Sequence, residues 1–256
     1  MILGKKIGQG DIAGAIPEAP AAWGYQSHCL TSSGVSPWVF TAPERGWYRF
    51  YLIGPGGAGG TMPNTISAGD DYTSFCGAGG GGGGGGYAVH DVYLKSGESV
   101  TVTLNGSGVS AQFGEKTVRV TSGQPGGAVP AHNKAGGTGG AGGTASGGNV
   151  CNINGAAGGR GENGSNKYAP SNVQGEVSIY GPSGGSGGSL SGHKYYCTAV
   201  DAPIKAILGK GGVGAGNAES VHEMSDSNGN RHVSFGPTPQ PQGGFPGGVI
   251  VETAAK

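Results

Sequence analysis

The stretch GGGGGGGG at residues 79–86 decides the fold of this 256-residue chain. Blocks with a three-residue period follow it, GGTGGAGGT at 136–144 and SGGSGGS at 183–189. Three residues per turn is the period of the polyproline-II type of helix, which has no internal hydrogen bonds. Because most positions here carry no side chain, neighbouring helices can pack backbone to backbone and bond to each other. We therefore predict that residues 79–86 and 136–143 are left-handed polyglycine-II helices packed inside a domain.

Collagen and disorder are the two alternative explanations for 60 glycines in the chain. Collagen needs glycine at every third position over a long stretch with abundant proline, whereas these blocks are short and their glycines are often doubled. Disorder requires low hydrophobicity, and the segments WYRFYLI at 47–53 and GVIVE at 248–252 are too apolar for a solvated linker. The composition therefore favours an ordered glycine-rich domain.

Several other segments have the composition of β-strands, because they are rich in aromatic and β-branched residues and are bounded by proline or glycine. They are residues 38–41, 47–53, 87–94, 99–104, 117–121 and 249–251. Only residues 204–208 show a weak helical pattern. The predicted fold class is thus mostly β and irregular, with antiparallel β-strands combined with a packed bundle of polyglycine-II helices and almost no α-helix.

The chain divides at the start of this β pattern. We predict an N-terminal docking arm over residues 1–36, with Trp23 and Tyr25 as its only large anchors, and a glycine-rich β/polyglycine-II domain over residues 37–256. No apolar run approaches the length of a membrane span, and the first residues lack the continuous apolar stretch of a secretory signal. We therefore expect no membrane insertion of this chain.

Charge and cysteine content limit the function further. Lys plus Arg equals Asp plus Glu at 15 each, so no net field attracts nucleic acid, and we expect no nucleic-acid partner. The four cysteines are widely spaced and form no CxxC pair, which argues against a zinc site. They are compatible with two disulfides in any of three pairings or with free thiols. The four are Cys29, Cys76, Cys151 and Cys197.

One motif resembles a nucleotide-binding loop, the sequence GKGGVGAG at residues 209–216. It is similar to the deviant P-loop of the ParA-like ATPases, but Ala215 and Gly216 stand where that loop needs a lysine and a hydroxyl. The six histidines fall in no metal-ligand spacing, and Asp70 and Asp71 lack the spaced oxygens of a calcium loop. We therefore predict a non-enzymatic protein with no catalytic residue, no cofactor and no metal.

Irregular inserts separate the glycine blocks at about 165–180, 193–208 and 217–242. Loops held by a rigid scaffold are where binding residues concentrate, and tyrosine offers a large contact area at low entropic cost. A role in a buried core is the competing explanation for the tyrosines. The candidate binding residues in these inserts are Tyr168, Tyr195, Tyr196, His193 and His222.

The order of these features resembles the glycine-rich domains of phage tail proteins. The resemblance rests on WVFTAP at 38–43, WYRFYLIGPGGAGG at 47–60, the polyglycine run, the hairpin sequence LKSGESVTVT at 94–103 and GGVIVE at 247–252. Similar glycine-rich architecture occurs in the tip adhesins of T-even-type phages, where polyglycine-II helices pack as a sandwich and variable loops bind receptors. An animal receptor tyrosine kinase ectodomain carries a similar module.

The resemblance implies a virion tail protein, at a fibre tip, tail tip or baseplate, that acts as a rigid scaffold with loops for host-receptor recognition. The expected partners are other virion tail proteins contacted through residues 1–36, a host surface receptor, and further copies in a homotrimer. The alternative is a cell-surface glycine-rich ligand-binding module, which the two Asn-Gly-Ser sequons at Asn105 and Asn163 favour.

Overall fold

A computed structural model describes residues 16–31, 36–62, 65–68, 78–129, 135–163, 209, 211–212, 214, 220–225, 231–236 and 241–254. This part of the chain forms β-strands and no helix. The strands are β1 Trp23–Thr31, β2 Trp38–Thr41, β3 Gly46–Ile53, β4 Thr65–Ala68, β5 Tyr87–Leu94, β6 Ser99–Asn105, β7 Gly108–Phe113, β8 Lys116–Thr121, β9 Ala145–Ser146, β10 Cys151–Ile153, β11 Ser220–Ser225, β12 Arg231–Gly236 and β13 Gly248–Ala254. The predicted fold class is confirmed.

The strands form three antiparallel sheets. Sheet A has the order β1-β13-β3-β5-β10, sheet B has the order β2-β6-β7-β8-β9, and sheet C has the order β11-β12-β4. Sheets A and B share one apolar core, because alternate side chains of each strand point to the same side. Phe50 of β3 meets Phe40 of β2 at 5.4 Å and Phe113 of β7 at 5.0 Å between ring centroids. The other face of sheet A, which points away from sheet B, is called the outer face below.

All six strands predicted from the sequence are present, with bounds that differ by at most three residues at either end. Seven of the described strands were not predicted, namely β1, β4, β7, β9, β10, β11 and β12. The sequence of β7, GVSAQF, has few β-branched or aromatic residues, and WGYQSHCLT of β1 lacks alternation. Residues 217–242 were predicted to be an irregular insert, whereas β11 and β12 form a hairpin there. The weak helical pattern at 204–208 and the glycine block at 183–189 lie outside the described residues.

Beside the sheets lies a set of packed extended segments, called the glycine bundle here. It consists of residues 54–60, 79–86, 121–129, 136–144, 155–162 and 242–247, together with the described residues of 209–214. Most of these segments are direct continuations of strands. β3 runs into 54–60, residues 79–86 run into β5, and 242–247 run into β13.

The segments of the bundle lie in the same order as the strands that they continue. Segment 54–60 lies between 242–247 and 79–86, as β3 lies between β13 and β5, and segment 79–86 then bonds to 155–162, which follows β10. In the layer that continues sheet B, segment 121–129 follows β8 and bonds to 136–144, which precedes β9. The two layers of the sandwich therefore continue as two layers of the bundle.

Residues 79–86 lie at the centre of the bundle and are fully buried. Their N–H groups point in turn to three neighbours, so that every third residue donates to the same segment at N···O distances of 2.8–3.0 Å. Gly80, Gly83 and Gly86 donate to 121–127, and Gly81 and Gly84 donate to 155–162. Gly82 and Gly85 donate to the carbonyls of Gly212 and Gly209.

The carbonyl groups of the same run follow the three-residue period as well. Those of Gly80, Gly83 and Gly86 accept from segment 54–60, and those of Gly81 and Gly84 accept from 136–143. None of the eight glycines has a positive φ, as the left-handed polyproline-II type of helix requires. The central run is thus bonded to five neighbouring segments, and the predicted polyglycine-II packing of 79–86 and 136–143 is confirmed.

Substitution of Gly82 tests this packing. A Cβ at Gly82 would stand 2.0 Å from the carbonyl oxygen of Gly57 and 2.4 Å from its carbon, and backbone cannot move aside as a side chain can. We expect Gly82→Val to destabilise the protein by more than about 4 kcal/mol, beyond the usual range for one substitution. The thermal midpoint and the yield of soluble protein measure the effect.

Gly106 provides the matched control, because a Cβ there meets no atom within 4 Å. Gly106→Val lies in the exposed turn between β6 and β7, and we expect its thermal midpoint to stay close to that of the parent protein. An unchanged midpoint for Gly82→Val would show that the central run is not a packed helix.

The core between the sheets also contains a histidine. His90 of β5 is 4 % exposed, stacks on Phe113 at 4.4 Å between ring centroids, and has no hydrogen-bond partner for Nδ1 among the described residues. Burial lowers the pKa of His90 below its ordinary 6.5, and the nearby Lys116 lowers it further, while Asp91 opposes the shift. The imidazole is therefore held in its neutral form by the packing of the two sheets.

A pH dependence of stability follows from this burial. Well above pH 6.5 His90 is neutral in both states, and as the pH falls the unfolded chain binds a proton that the folded protein resists. Stability should therefore fall as the pH decreases through the interval between the unfolded and the folded pKa. We expect His90→Phe, which retains ring packing, to flatten this part of the curve of unfolding free energy against pH. A curve with the same slope as that of the parent protein would exclude His90 as its source.

Candidate functional site

The glycine bundle has two different ends. One end joins the sheets, at Gly54, Gly86, Thr121 and Thr144. The opposite end, called the distal end here, is where Gly60 bonds to Gly80 and where the segments 121–129, 155–162 and 242–247 have their free ends. The chain between residues 62 and 78 leaves and returns at the distal end, as does the chain between 129 and 135.

Sheet C belongs to the distal end by chain connectivity. β4 begins three residues after Met62, and β12 ends six residues before Gln242. An extended chain spans at most about 3.6 Å per residue, so the start of β4 lies within about 11 Å of Met62. Two separate chain excursions, one after Met62 and one after Gly214, therefore meet there as one three-stranded sheet.

The predicted receptor-binding residues are only partly covered by the described structure. His222 lies in β11, directly opposite Ser234 of β12, and thus in sheet C at the distal end. Tyr168, His193, Tyr195 and Tyr196 lie outside the described residues, so the structure does not bring the five candidates together. The segment that carries those four begins at the distal end, after Asn163, and ends at Gly209, whose N–H bonds to Pro246 near the sheets.

The predicted docking arm contributes a strand to sheet A. Trp23–Thr31 forms β1, an edge strand paired with β13, and Tyr25 lies in it opposite Thr253. The ring of Trp23 lies on the outer face, 4.5 Å from the guanidinium carbon of Arg49, and its buried Nε1 has no partner among the described residues. Docking of residues 1–36 onto a partner stays a prediction.

Polar side chains form a row across the outer face of sheet A. Arg49 of β3 makes a bidentate ion pair with Asp91 of β5, with both N···O distances at 2.7 Å. Next to Arg49 on β13 lies Glu252, which is 1 % exposed and accepts a 2.7 Å hydrogen bond from the hydroxyl of Tyr51. The ion pair raises the pKa of Arg49, and burial followed by the bond to Glu252 raises the pKa of Tyr51. These shifts keep Arg49 charged and Tyr51 protonated, and their bonds to Asp91 and Glu252 connect β3 with β5 and β13.

The ion pair can be tested by Asp91→Asn, which keeps the shape of the side chain and removes its charge. Because Arg49 is 22 % exposed and Asp91 is 9 % exposed, water screens the pair only in part. We expect a loss of about 1–3 kcal/mol in the free energy of unfolding, the range for hydrogen bonds between charged groups. Chemical denaturation measures it, with Glu115→Gln in the exposed β7–β8 turn as the control. A loss no larger than that of the control would show that the pair is not stabilising.

A second cluster lies at the beginning of β3 and the end of β5. Trp47 and Tyr93 are cross-strand neighbours with ring centroids 5.6 Å apart in an edge-on arrangement. Arg45 donates from Nε to the hydroxyl of Tyr93 at 2.6 Å, and its guanidinium carbon lies 5.5 Å from the ring centroid. The indole Nε1 of Trp47 donates to the carbonyl of Pro17 at 2.9 Å, so the N-terminal segment contacts this cluster.

The structure also places two features of the sequence, the P-loop-like segment and Cys151. Gly209, Gly211, Gly212 and Gly214 of the P-loop-like sequence belong to the glycine bundle, where a Cβ on Gly211 would meet the carbonyl of Gly82 at 2.0 Å. Cys151 is a free thiol, which excludes two disulfides that pair all four cysteines, and burial raises its pKa. Within the described ranges no group of three or more His, Cys, Asp or Glu residues could hold a metal ion.

Comparisons with known proteins give no match: no family model and no curated protein sequence matches the chain. Among the described residues no helix is long and apolar enough to cross a membrane.

Proposed function

We propose that the chain is a non-enzymatic tail protein of a phage virion, placed at a fibre tip, tail tip or baseplate, whose distal end contacts a receptor on the host surface. It is made in the host cytoplasm and becomes part of the tail. The observation that carries this proposal is the burial of residues 79–86, which bond to five neighbouring segments.

That arrangement supports a mechanical role. Backbone hydrogen bonds in a dry interior are strong and short-ranged, and a run of glycines leaves no rotatable side chain between the segments. The bundle is about 25 Å long at about 3.1 Å per residue, and it is rigid along its length without a large apolar core. A rigid projection of this kind suits a component that must carry a binding surface away from the rest of a particle.

The distal connections support a role in recognition. The excursions after Met62 and Gly214, and the start of the one after Asn163, lie at the end opposite the sheets. Because the bundle is held by backbone bonds between its segments, residues in the connections can change without disturbing it. Variation without loss of the scaffold is what a protein needs if it must follow changes in a host receptor.

The second candidate function is a glycine-rich ligand-binding module at a cell surface. It is favoured by the exposure of both sequon asparagines, Asn105 at the end of β6 and Asn163 after the bundle segment 155–162. The rigid bundle would carry the binding surface in the same way, and only the location of the protein differs.

Mass spectrometry of purified virions from the phage that encodes the chain separates the two candidates. We expect peptides of the chain in intact virions at a fixed ratio to known tail proteins. Absence of the chain from virions that adsorb normally to the host would contradict the proposal.

Receptor contact is tested by the double substitution Tyr195→Ala with Tyr196→Ala. We expect virions that contain the variant to lose adsorption to host cells, because truncation of interface tyrosines removes much of a binding energy that few residues carry. The control is Thr101→Ala, on the exposed face of sheet B far from the distal end. Normal adsorption with normal incorporation would limit the chain to an assembly role, and loss of folding would assign the two rings to a core.

A further inference from the structure

The N-terminal segment and the cluster at the start of β3 form a contact that the tail function does not use. Residues 16–20 read Ile-Pro-Glu-Ala-Pro, a Pro-x-x-Pro sequence, and they are neither helix nor strand. They contact the aromatic cluster through one hydrogen bond, from Trp47 Nε1 to the carbonyl of Pro17. Pro17 is exposed and Ile16 is 65 % exposed, so the segment is held shallowly.

The chemistry of this contact matches a known mode of peptide recognition. Proline-rich extended segments bind to ridges and grooves lined by aromatic side chains, and their restricted backbone costs little entropy to fix. An indole N–H that donates to a backbone carbonyl is the polar anchor that such a site needs, because the peptide lacks N–H groups at its prolines.

We propose that Trp47, Tyr93 and Arg45 form a binding site for extended Pro-x-x-Pro segments, occupied within the chain by residues 16–20. Contacts among these side chains fix the geometry of the site. Tyr93 is fixed by the bond from Arg45 Nε and by its edge-on contact with Trp47, and all three lie on strand ends or a turn of sheet A rather than on a long loop. Each ring is only half-buried, which leaves surface for a ligand.

Because residues 16–20 occupy the site, they affect its affinity for an external peptide. The internal segment competes with an external one. The apparent Kd for the external peptide is the intrinsic Kd divided by the fraction of molecules in which the site is free. A substitution that weakens only the internal segment should therefore strengthen external binding. The site is a property of the isolated protein and does not depend on a place in a virion.

Fluorescence anisotropy of a labelled peptide Ile-Pro-Glu-Ala-Pro-Ala-Ala, titrated with the full chain, tests the site. We expect weak binding to the parent chain and at least about fivefold tighter binding to the variant Pro17→Ala with Pro20→Ala, in which the internal segment loses its preset backbone. In that variant, addition of Trp47→Phe should weaken binding about five- to tenfold by removing the indole donor. Trp38→Phe, which affects a tryptophan of sheet B, is the control and should leave the affinity unchanged.

A second measurement is independent of any substitution in the chain. The peptide Ile-Ala-Glu-Ala-Ala-Ala-Ala keeps the length and charge but lacks both prolines, and on the parent chain we expect it to bind about fivefold more weakly than the proline peptide or to show no binding. Equal binding of the two peptides would overturn the proposal. So would an affinity that Trp47→Phe and Trp38→Phe change equally in the variant with the weakened internal segment.

Discussion

Hydrogen bonds between parallel and antiparallel glycine segments hold the centre of this molecule, and the other features depend on them. Every third N–H or carbonyl group of residues 79–86 bonds to the same neighbouring segment. The bundle therefore requires a helix with three residues per turn and no side chains between the segments. A Cβ at most of its glycines would stand about 2 Å from a carbonyl oxygen of the next segment. The composition of the chain is therefore a steric requirement of its packing.

The bundle and the β-sandwich are one continuous structure. Strands β3, β5, β8 and β13 leave the sandwich or enter it through glycine segments, and the neighbours of a strand are also the neighbours of its glycine segment. The apolar core between sheets A and B thus fixes the order and direction of the segments at one end. Farther from the sheets, the backbone hydrogen bonds between the segments hold the bundle together, and it has no apolar core of its own.

Much of this architecture could be predicted from the sequence, because glycine period and β-strand composition are local signals. The run at 79–86 and the strands with aromatic or β-branched residues were found for that reason. β1 was not found, since its partner β13 lies more than two hundred residues away. The β11–β12 hairpin was not found because SVHEMS and RHVSFG have few β-branched or aromatic residues, and the pairing of β12 with β4 joins distant parts of the chain. The ion pair of Arg49 with Asp91 and the contact of Trp47 with Pro17 are also tertiary, and no spacing along the chain indicates them.

The two ends of the molecule differ in how they could engage partners. At the distal end the binding surface would consist of connections whose residues are free to vary, because the backbone bonds of the bundle do not involve them. On sheet A the Trp47 cluster consists of strand residues that also pack against each other, and it already contacts a segment of its own chain. The Trp47 cluster is thus partly covered by its own chain, whereas the distal connections take no part in the backbone bonds of the bundle. The two surfaces lie at opposite ends of β3 and its glycine segment, because β3 begins beside Trp47 and segment 54–60 ends at the distal end.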